Sequence, residues 1–255
     1  MKLATIVHGE ANDLPPLIIA HGLFGSARNW GVIAKRLSET RQVIAVDMRN
    51  HGDSFQDADH SYPALAADLA RIVAAQNGPV DVLGHSMGGK AAMTLALTQP
   101  EAVRRLVVMD IAPVSYDHNQ TGYIDAMEAV DLTGLRLRSD ADARLSAHVD
   151  DPGVRAFLLQ SLDLKAEPPR WKFNLTALRD QMSLVTGWPE IPRGSFAGPA
   201  LFLAGSESDY CGPTGAQAIR EYFPQAQLRS IEGAGHWLHA DRPAEVAEIV
   251  ADFLT

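Results

Sequence analysis

Short, unbroken apolar runs alternate with stretches of helical periodicity along most of this chain, and few architectures accommodate that alternation. Residues 16–20 (PLIIA) read as a strand buried on both faces, opening into the loop His21-Gly22-Leu23-Phe24-Gly25. Trp30, Ile33 and Leu37 then fall at helical spacing across residues 27–37. The pattern repeats as a strand over 42–46 and a helix over 62–76 with Leu65, Leu69, Ile72 and Val73 on one face. A strand over 80–83 and an alanine-rich helix over 88–98 follow. Residues 105–109, 200–204 and 227–231 read as further strands. A last helix, beginning near Pro243, carries Val246, Ile249, Val250 and Phe253. Strands with no polar alternation have no solvent face, and the helices between them are the crossovers that parallel pairing needs. The pattern predicts an α/β fold, a mostly parallel central sheet flanked by helices.

One region breaks the alternation. From 114 to 198 no buried strand is evident, whereas 123–130, 141–149 and 174–185 have helical character. The expected division is a core formed by residues 1–113 and 199–255 and a helical insertion over 114–198. That insertion would sit above the carboxyl ends of the strands, where open α/β sheets hold their ligands.

Composition narrows the partners. The formal net charge is −9, with acidic residues scattered along the chain. Nucleic acid and anionic membranes both need a basic face, so neither is an expected partner. The single cysteine, Cys211, has no internal disulfide partner. The start, MKLATIVHGE, lacks the apolar core of a signal peptide, and no apolar run is long enough to span a membrane. These features predict a cytoplasmic protein.

Residues 84–91, GHSMGGKA, fit two motifs. As G-x-x-x-x-G-K they approach a phosphate-binding P-loop, which needs Ser or Thr after the lysine to bind magnesium; here Ala91 has no oxygen. As G-x-S-x-G they form a nucleophile elbow, a sharp strand-to-helix turn that needs small residues two positions either side of Ser86. Gly84 and Gly88 provide them. A serine nucleophile also needs a base. His236 lies in Gly233-Ala234-Gly235-His236-Trp237-Leu238-His239, between the last strand and the last helix. His239 reads as a structural neighbour of His236. The loop at 21–25 follows an early strand, where this architecture draws its second oxyanion donor, so the backbone N–H groups of Leu23 and Met87 are the expected pair. Phe24 and Trp237 flank these positions and are expected to line an apolar acyl pocket. The other histidines, including His8, His51, His60, His85, His118 and His148, show no paired ligand spacing, so neither a metal nor another cofactor is expected.

Together HGLFGS, DMRNHGDS, GHSMGGK and GAGHWLH resemble the α/β-hydrolase superfamily, and HGLFGSARNW, VVMDIAPV and FNLTAL resemble the small bacterial YbfF-type esterases. The resemblance implies an α/β-hydrolase fold whose insertion serves as a cap, and a cofactor-free serine hydrolase acting on acyl esters or thioesters. The turn at 47–52 is expected to tie loops together near the site. Many superfamily members place the acid of the triad after the strand that here ends at Ala204, in a G-x-x-D pattern. Ser208 stands at that place and Asp209 follows one residue late. Asp110, at the end of the strand after the elbow helix, matches the acid of the YbfF-type pattern. The expected triad is therefore Ser86, Asp110 and His236, with Ser208 as an accessory partner. A perhydrolase or carbon–carbon hydrolase would use the same triad, and a small-molecule receptor could use the same fold. Within the insertion nine Lys/Arg face twelve Asp/Glu, which favours simple esters over acyl-CoA.

Overall fold

The computed structural model describes residues 2–118 and 120–255. In chain order the strands are β1 (Thr5–His8), β2 (Leu17–Ala20), β3 (Val43–Val46), β4 (Val80–His85), β5 (Val103–Met109), the two-residue β6 (Leu162–Asp163) and β7 (Arg170–Trp171), β8 (Ala200–Gly205) and β9 (Ala226–Ile231). Among the described residues, strands β6 and β7 pair only with each other. The other seven form one sheet in the order β1-β3-β2-β4-β5-β8-β9, with β1 antiparallel and the rest parallel.

Alternate residues of each central strand enter different cores. Leu17, Ile19, Leu83, Val107, Leu201 and Leu203 pack under α1 (Gly31–Leu37) and the terminal helix, with Trp30, Ile33, Val246 and Val250. Ile18, Ala20, Val82, Val108 and Phe202 face the opposite side, under α2 (Tyr62–Ala74) and α3 (Met87–Thr98). Each such side chain removed from water contributes about 1.5–3 kcal/mol, which is why unbroken apolar runs specify these strands.

Strand register sets the position of the site. Ala20 pairs with Gly84, Gly84 with Val108, and Val108 with Phe202, a single line across four parallel strands. Residues that follow this line, His21, Ser86, Asp110 and Gly205, therefore emerge from one edge of the sheet.

Between β5 and β8 run α4 (Thr121–Ala129), α5 (Arg138–Leu145), α6 (Pro152–Leu159), the β6–β7 ribbon, α7 (Leu175–Asp180) and α8 (Met182–Thr186). The two ends of this insertion are joined: Tyr116 N–H donates to the Thr186 carbonyl (3.0 Å) and Trp188 N–H to Ser115 Oγ (3.1 Å). After β8 come α9 (Pro213–Tyr222), α10 (Leu238–Asp241) and α11 (Pro243–Leu254). No helix among the described residues is long and apolar enough to cross a membrane.

Several elements differ from the sequence reading. Strand β1 alternates exposed and half-buried residues at the sheet edge, so it lacks the apolar run of the central strands. Residues 27–37 divide into a 3-10 turn, Ala27–Trp30, and α1. The helix expected over 174–185 is two helices that meet at Gln181. The helix expected over 141–149 begins earlier, at Arg138, and ends at Leu145. The insertion, expected to be helical, also holds the short β6–β7 ribbon.

Candidate active site

Ser86 sits between β4 and α3 with φ 52°, ψ −119°, in a region that L-residues enter only when their surroundings force it. The surroundings here are backbone. A Cβ on Gly84 would lie 2.3 Å from the Gly88 carbonyl oxygen, and one on Gly88 would lie 2.3 Å from that of Ala20. Only glycine permits this approach, and the sharp turn lifts the serine hydroxyl above the sheet edge.

The three sequence-predicted triad residues meet. Ser86 Oγ lies 3.1 Å from His236 Nε2, and His236 Nδ1 lies 2.7 Å from Asp110 Oδ2. A carboxylate only accepts, so the imidazole hydrogen is on Nδ1 and Nε2 presents its lone pair to the serine hydroxyl. Asp110 is 0 % exposed and takes a left-handed conformation, φ 52°. Its other oxygen accepts from Gly205 N–H (3.0 Å), and Ser208 Oγ donates to the oxygen that His236 uses. Asp209 is exposed, and among the described residues its carboxylate has no hydrogen-bond or ion-pair partner.

His236 is enclosed by rings. Tyr210 stacks on it with centroids 4.2 Å apart, and His85 lies 4.8 Å away, donating from Nε2 to the His236 carbonyl (2.8 Å). Burial, reinforced by neighbouring His239 and His236, holds the His85 pKa well below the usual histidine range. His85 thus stays neutral beside the base. His239 stacks on Trp30 at 4.4 Å, away from Ser86, in keeping with a structural role. Burial pushes the Cys211 thiol up to about 12, so its thiolate is scarce near neutrality.

Leu23 and Met87 each present a backbone N–H with no hydrogen-bond partner among the described residues. The Met87 group is the first of α3, where the helix leaves its N–H groups unpaired and favours negative charge. The Leu23 group follows Gly22, whose added Cβ would lie 3.2 Å from Ser86 Cβ. Both donors border the serine.

A cavity of about 220 Å³ opens over Ser86. Phe24 and Trp237, the expected pocket residues, both line it. The insertion adds Tyr123, Val154, Phe157 and Leu158, none of which the sequence reading singled out. The apolar pattern of α6 (PGVRAFLL) was the only sequence signal for the last three. Lys90, which a P-loop would aim at phosphate, is 1 % exposed. Its Nζ donates to the Thr186 and Gly187 carbonyls (2.9 and 2.6 Å), and burial pushes it down to about 7. The turn at 47–52 ties loops as expected: Asp47 accepts from Ala27 N–H (2.7 Å) and Asp53 N–H (2.9 Å).

A fold and a site of this kind define a class, and comparison with known proteins agrees with it. The model of the alpha/beta hydrolase fold family matches residues 15–243. The sn-1-specific diacylglycerol lipase ABHD11 of Mus musculus is 40 % identical, with 98 % of this chain and 83 % of that protein covered. Esterase YbfF of Escherichia coli (strain K12) is 39 % identical, with 94 % and 92 % covered. A solved marine microorganism esterase superposes with TM-score 0.93 at 37 % identity, covering 99 % of both chains. The chain belongs to the alpha/beta hydrolase family, among relatives named esterase or lipase, as its motifs indicated.

Proposed function

We propose that this protein is a carboxylic ester hydrolase that cleaves small acyl esters or thioesters through an acyl-enzyme on Ser86. One observation carries the reading: the hydrogen-bonded line Ser86–His236–Asp110 ends beside two backbone N–H groups that have no partner among the described residues. Ser86 Oγ attacks the substrate carbonyl carbon as His236 Nε2 takes its proton. The carbonyl electron pair moves onto oxygen, where the Leu23 and Met87 N–H groups hold it. Collapse of this intermediate expels the alcohol or thiol, which leaves with the proton from Nε2. Water then attacks the acyl-enzyme with the same histidine as base, and the acid and free serine are released. Asp110 keeps Nδ1 protonated and stabilises the imidazolium, and Ser208 helps to hold Asp110 in place.

In this reading residues 114–198 form a cap over a core of 1–113 and 199–255, and the cap supplies one wall of the acyl pocket. The modest apolar cavity fits short acyl groups. We place the protein in the cytoplasm, in line with its single cysteine and acidic composition.

The test is a fluorophosphonate label with turnover of p-nitrophenyl acetate and butyrate. The parent should label stoichiometrically and turn over freely. Ser86→Ala should lose labelling and about 10⁶-fold in turnover. Persistent labelling would place the nucleophile elsewhere, and release of only one equivalent of product would point to a receptor.

A further inference from the structure

Three buried histidines lie beneath the oxyanion loop, outside the triad. His21, His51 and His60 are each 1 % exposed, with ring centroids 5.0 Å apart for His21–His51 and 5.7 Å for His51–His60. Each makes one hydrogen bond to Met87 or to a neighbour of Leu23 (His21 with Gly22, His51 with Phe24, His60 with Met87) and another to Met48, Arg49 or Asn50.

The Leu23 N–H belongs to a loop with no ladder to hold it. A donor of this kind works only if its peptide plane is fixed before the reaction. The next residue, Phe24, has φ 59°, a left-handed conformation unfavourable for a residue with a bulky side chain. Phe24 N–H donates to His51 Nε2 at 3.1 Å. The carbonyl on the other side of Leu23, that of Gly22, accepts from His21 Nδ1 (2.7 Å) and Gly25 N–H (3.0 Å). The tautomer of His51 is fixed as well: its Nδ1 hydrogen goes to the Arg49 carbonyl (3.0 Å), so Nε2 is an acceptor. His60 Nδ1 accepts from Asn50 Nδ2 (3.1 Å), which leaves its Nε2 hydrogen for Met87 Sδ (3.3 Å).

We propose that His51 is a positioning residue for the oxyanion hole: by accepting the Phe24 N–H it holds the strained loop so that the Leu23 N–H faces the reacting carbonyl oxygen. This inference rests on the reaction proposed above. The acceptor must be unprotonated, and burial pushes His51 down to about 3, so it remains an acceptor across the working pH range. His21 and His60 brace the same structure from either side.

The experiment compares His51→Phe, which keeps a ring but removes the acceptor, with His51→Gln, whose amide oxygen restores one. Removing a whole oxyanion donor costs about 10²–10³-fold. Misorienting one should cost His51→Phe about 10–10²-fold in kcat on p-nitrophenyl butyrate, with KM little changed. The Ki of a trifluoromethyl ketone, which mimics the tetrahedral intermediate, should rise by the same factor. His51→Gln should recover to within a few-fold of the parent. A merely structural His51 would lower Tm without moving kcat and Ki together. The inference is overturned if folded His51→Phe keeps kcat and Ki within threefold of the parent, or if folded His51→Gln is as impaired as the Phe variant. Should His51→Phe not fold, His51→Met against His51→Gln gives the same contrast. Full turnover by Ser86→Ala would instead sink the reaction itself, an outcome separate from these.

Discussion

Replacing Asp110 by Asn tests the assignment of the acid against its nearest rival, and the structure sets the size of the effect. Asp110 is sealed from solvent, and all three hydrogen bonds at its carboxylate are accepted, from Gly205 N–H, Ser208 Oγ and His236 Nδ1. An asparagine keeps the shape but turns one oxygen into an NH₂ donor. Placed towards Gly205, that donor faces the backbone N–H. Placed towards His236, it relaxes only if the imidazole moves its hydrogen to Nε2, and Nε2 then no longer accepts the serine proton. The expected loss in turnover is about 10⁴-fold, equivalent to about 5.5 kcal/mol of transition-state stabilisation. Asp209→Asn changes an exposed carboxylate with no partner among the described residues, and should stay within about tenfold of the parent. Initial rates on p-nitrophenyl butyrate, with thermal melts to confirm folding, measure both. A folded Asp209→Asn that loses more than Asp110→Asn would refute the assignment.

Other outcomes follow from the same structure. Gly88→Ala should lower Tm sharply or abolish soluble expression, because its Cβ would meet backbone oxygens of Ala20 and His21 at 2.3 and 2.5 Å. Gly31→Ala, where nothing lies within 4 Å, should be neutral or stabilising in the same melt. Acid should destabilise the fold below about pH 6.5, because burial lowers the pKa of His21 to about 4 and of His51 and His60 to about 3. Between these values and 6.5 the unfolded chain binds protons that the folded chain does not, so stability falls as pH falls. Each group contributes about 2 kcal/mol between pH 7 and pH 5, and denaturant melts at the two values should differ by several kcal/mol; equal midpoints would contradict it. ATP with magnesium should give no thermal shift, since Lys90 is committed to carbonyls and Ala91 offers the metal no oxygen.

Much of this architecture could be read in the sequence because it follows from periodicity. Strands such as VIAV and LIIA are apolar at every position because both faces are covered. The edge strand β1 escaped because partial exposure erases that signal. Helices α6 and α9 were missed because each is short and begins after a polar or glycine-rich turn. The site divides in the same way. Gly84, Gly88 and Ser86 could be read because their chemistry is local to one turn. Asp110 and His236 are 126 residues apart, and their meeting was implied by Asp110's place at a strand end and by the resemblance to the YbfF-type pattern. The turn holding His51 was expected to tie loops near the site, but its bond to the oxyanion loop could not be read locally, because a bond from Phe24 N–H to His51 Nε2 depends on two loops converging.

The pocket is the least legible part, for a physical reason. The reacting groups are held by backbone: an elbow that only glycine fits, unpaired N–H groups at fixed places, and a carboxylate bonded to a strand end. Such constraints allow few residue types, so they leave motifs. The wall formed by Val154, Phe157, Leu158 and Tyr123 needs only apolar bulk at the right distance, which many sequences satisfy. Phe157 packs 5.2 Å from Trp237, and Tyr123 stands edge-on to Phe24 at 6.5 Å, so insertion and core share each side of the cavity. A substitution in α6 can therefore reshape the acyl pocket while every motif stays intact. Sequence in the insertion therefore constrains volume more than identity.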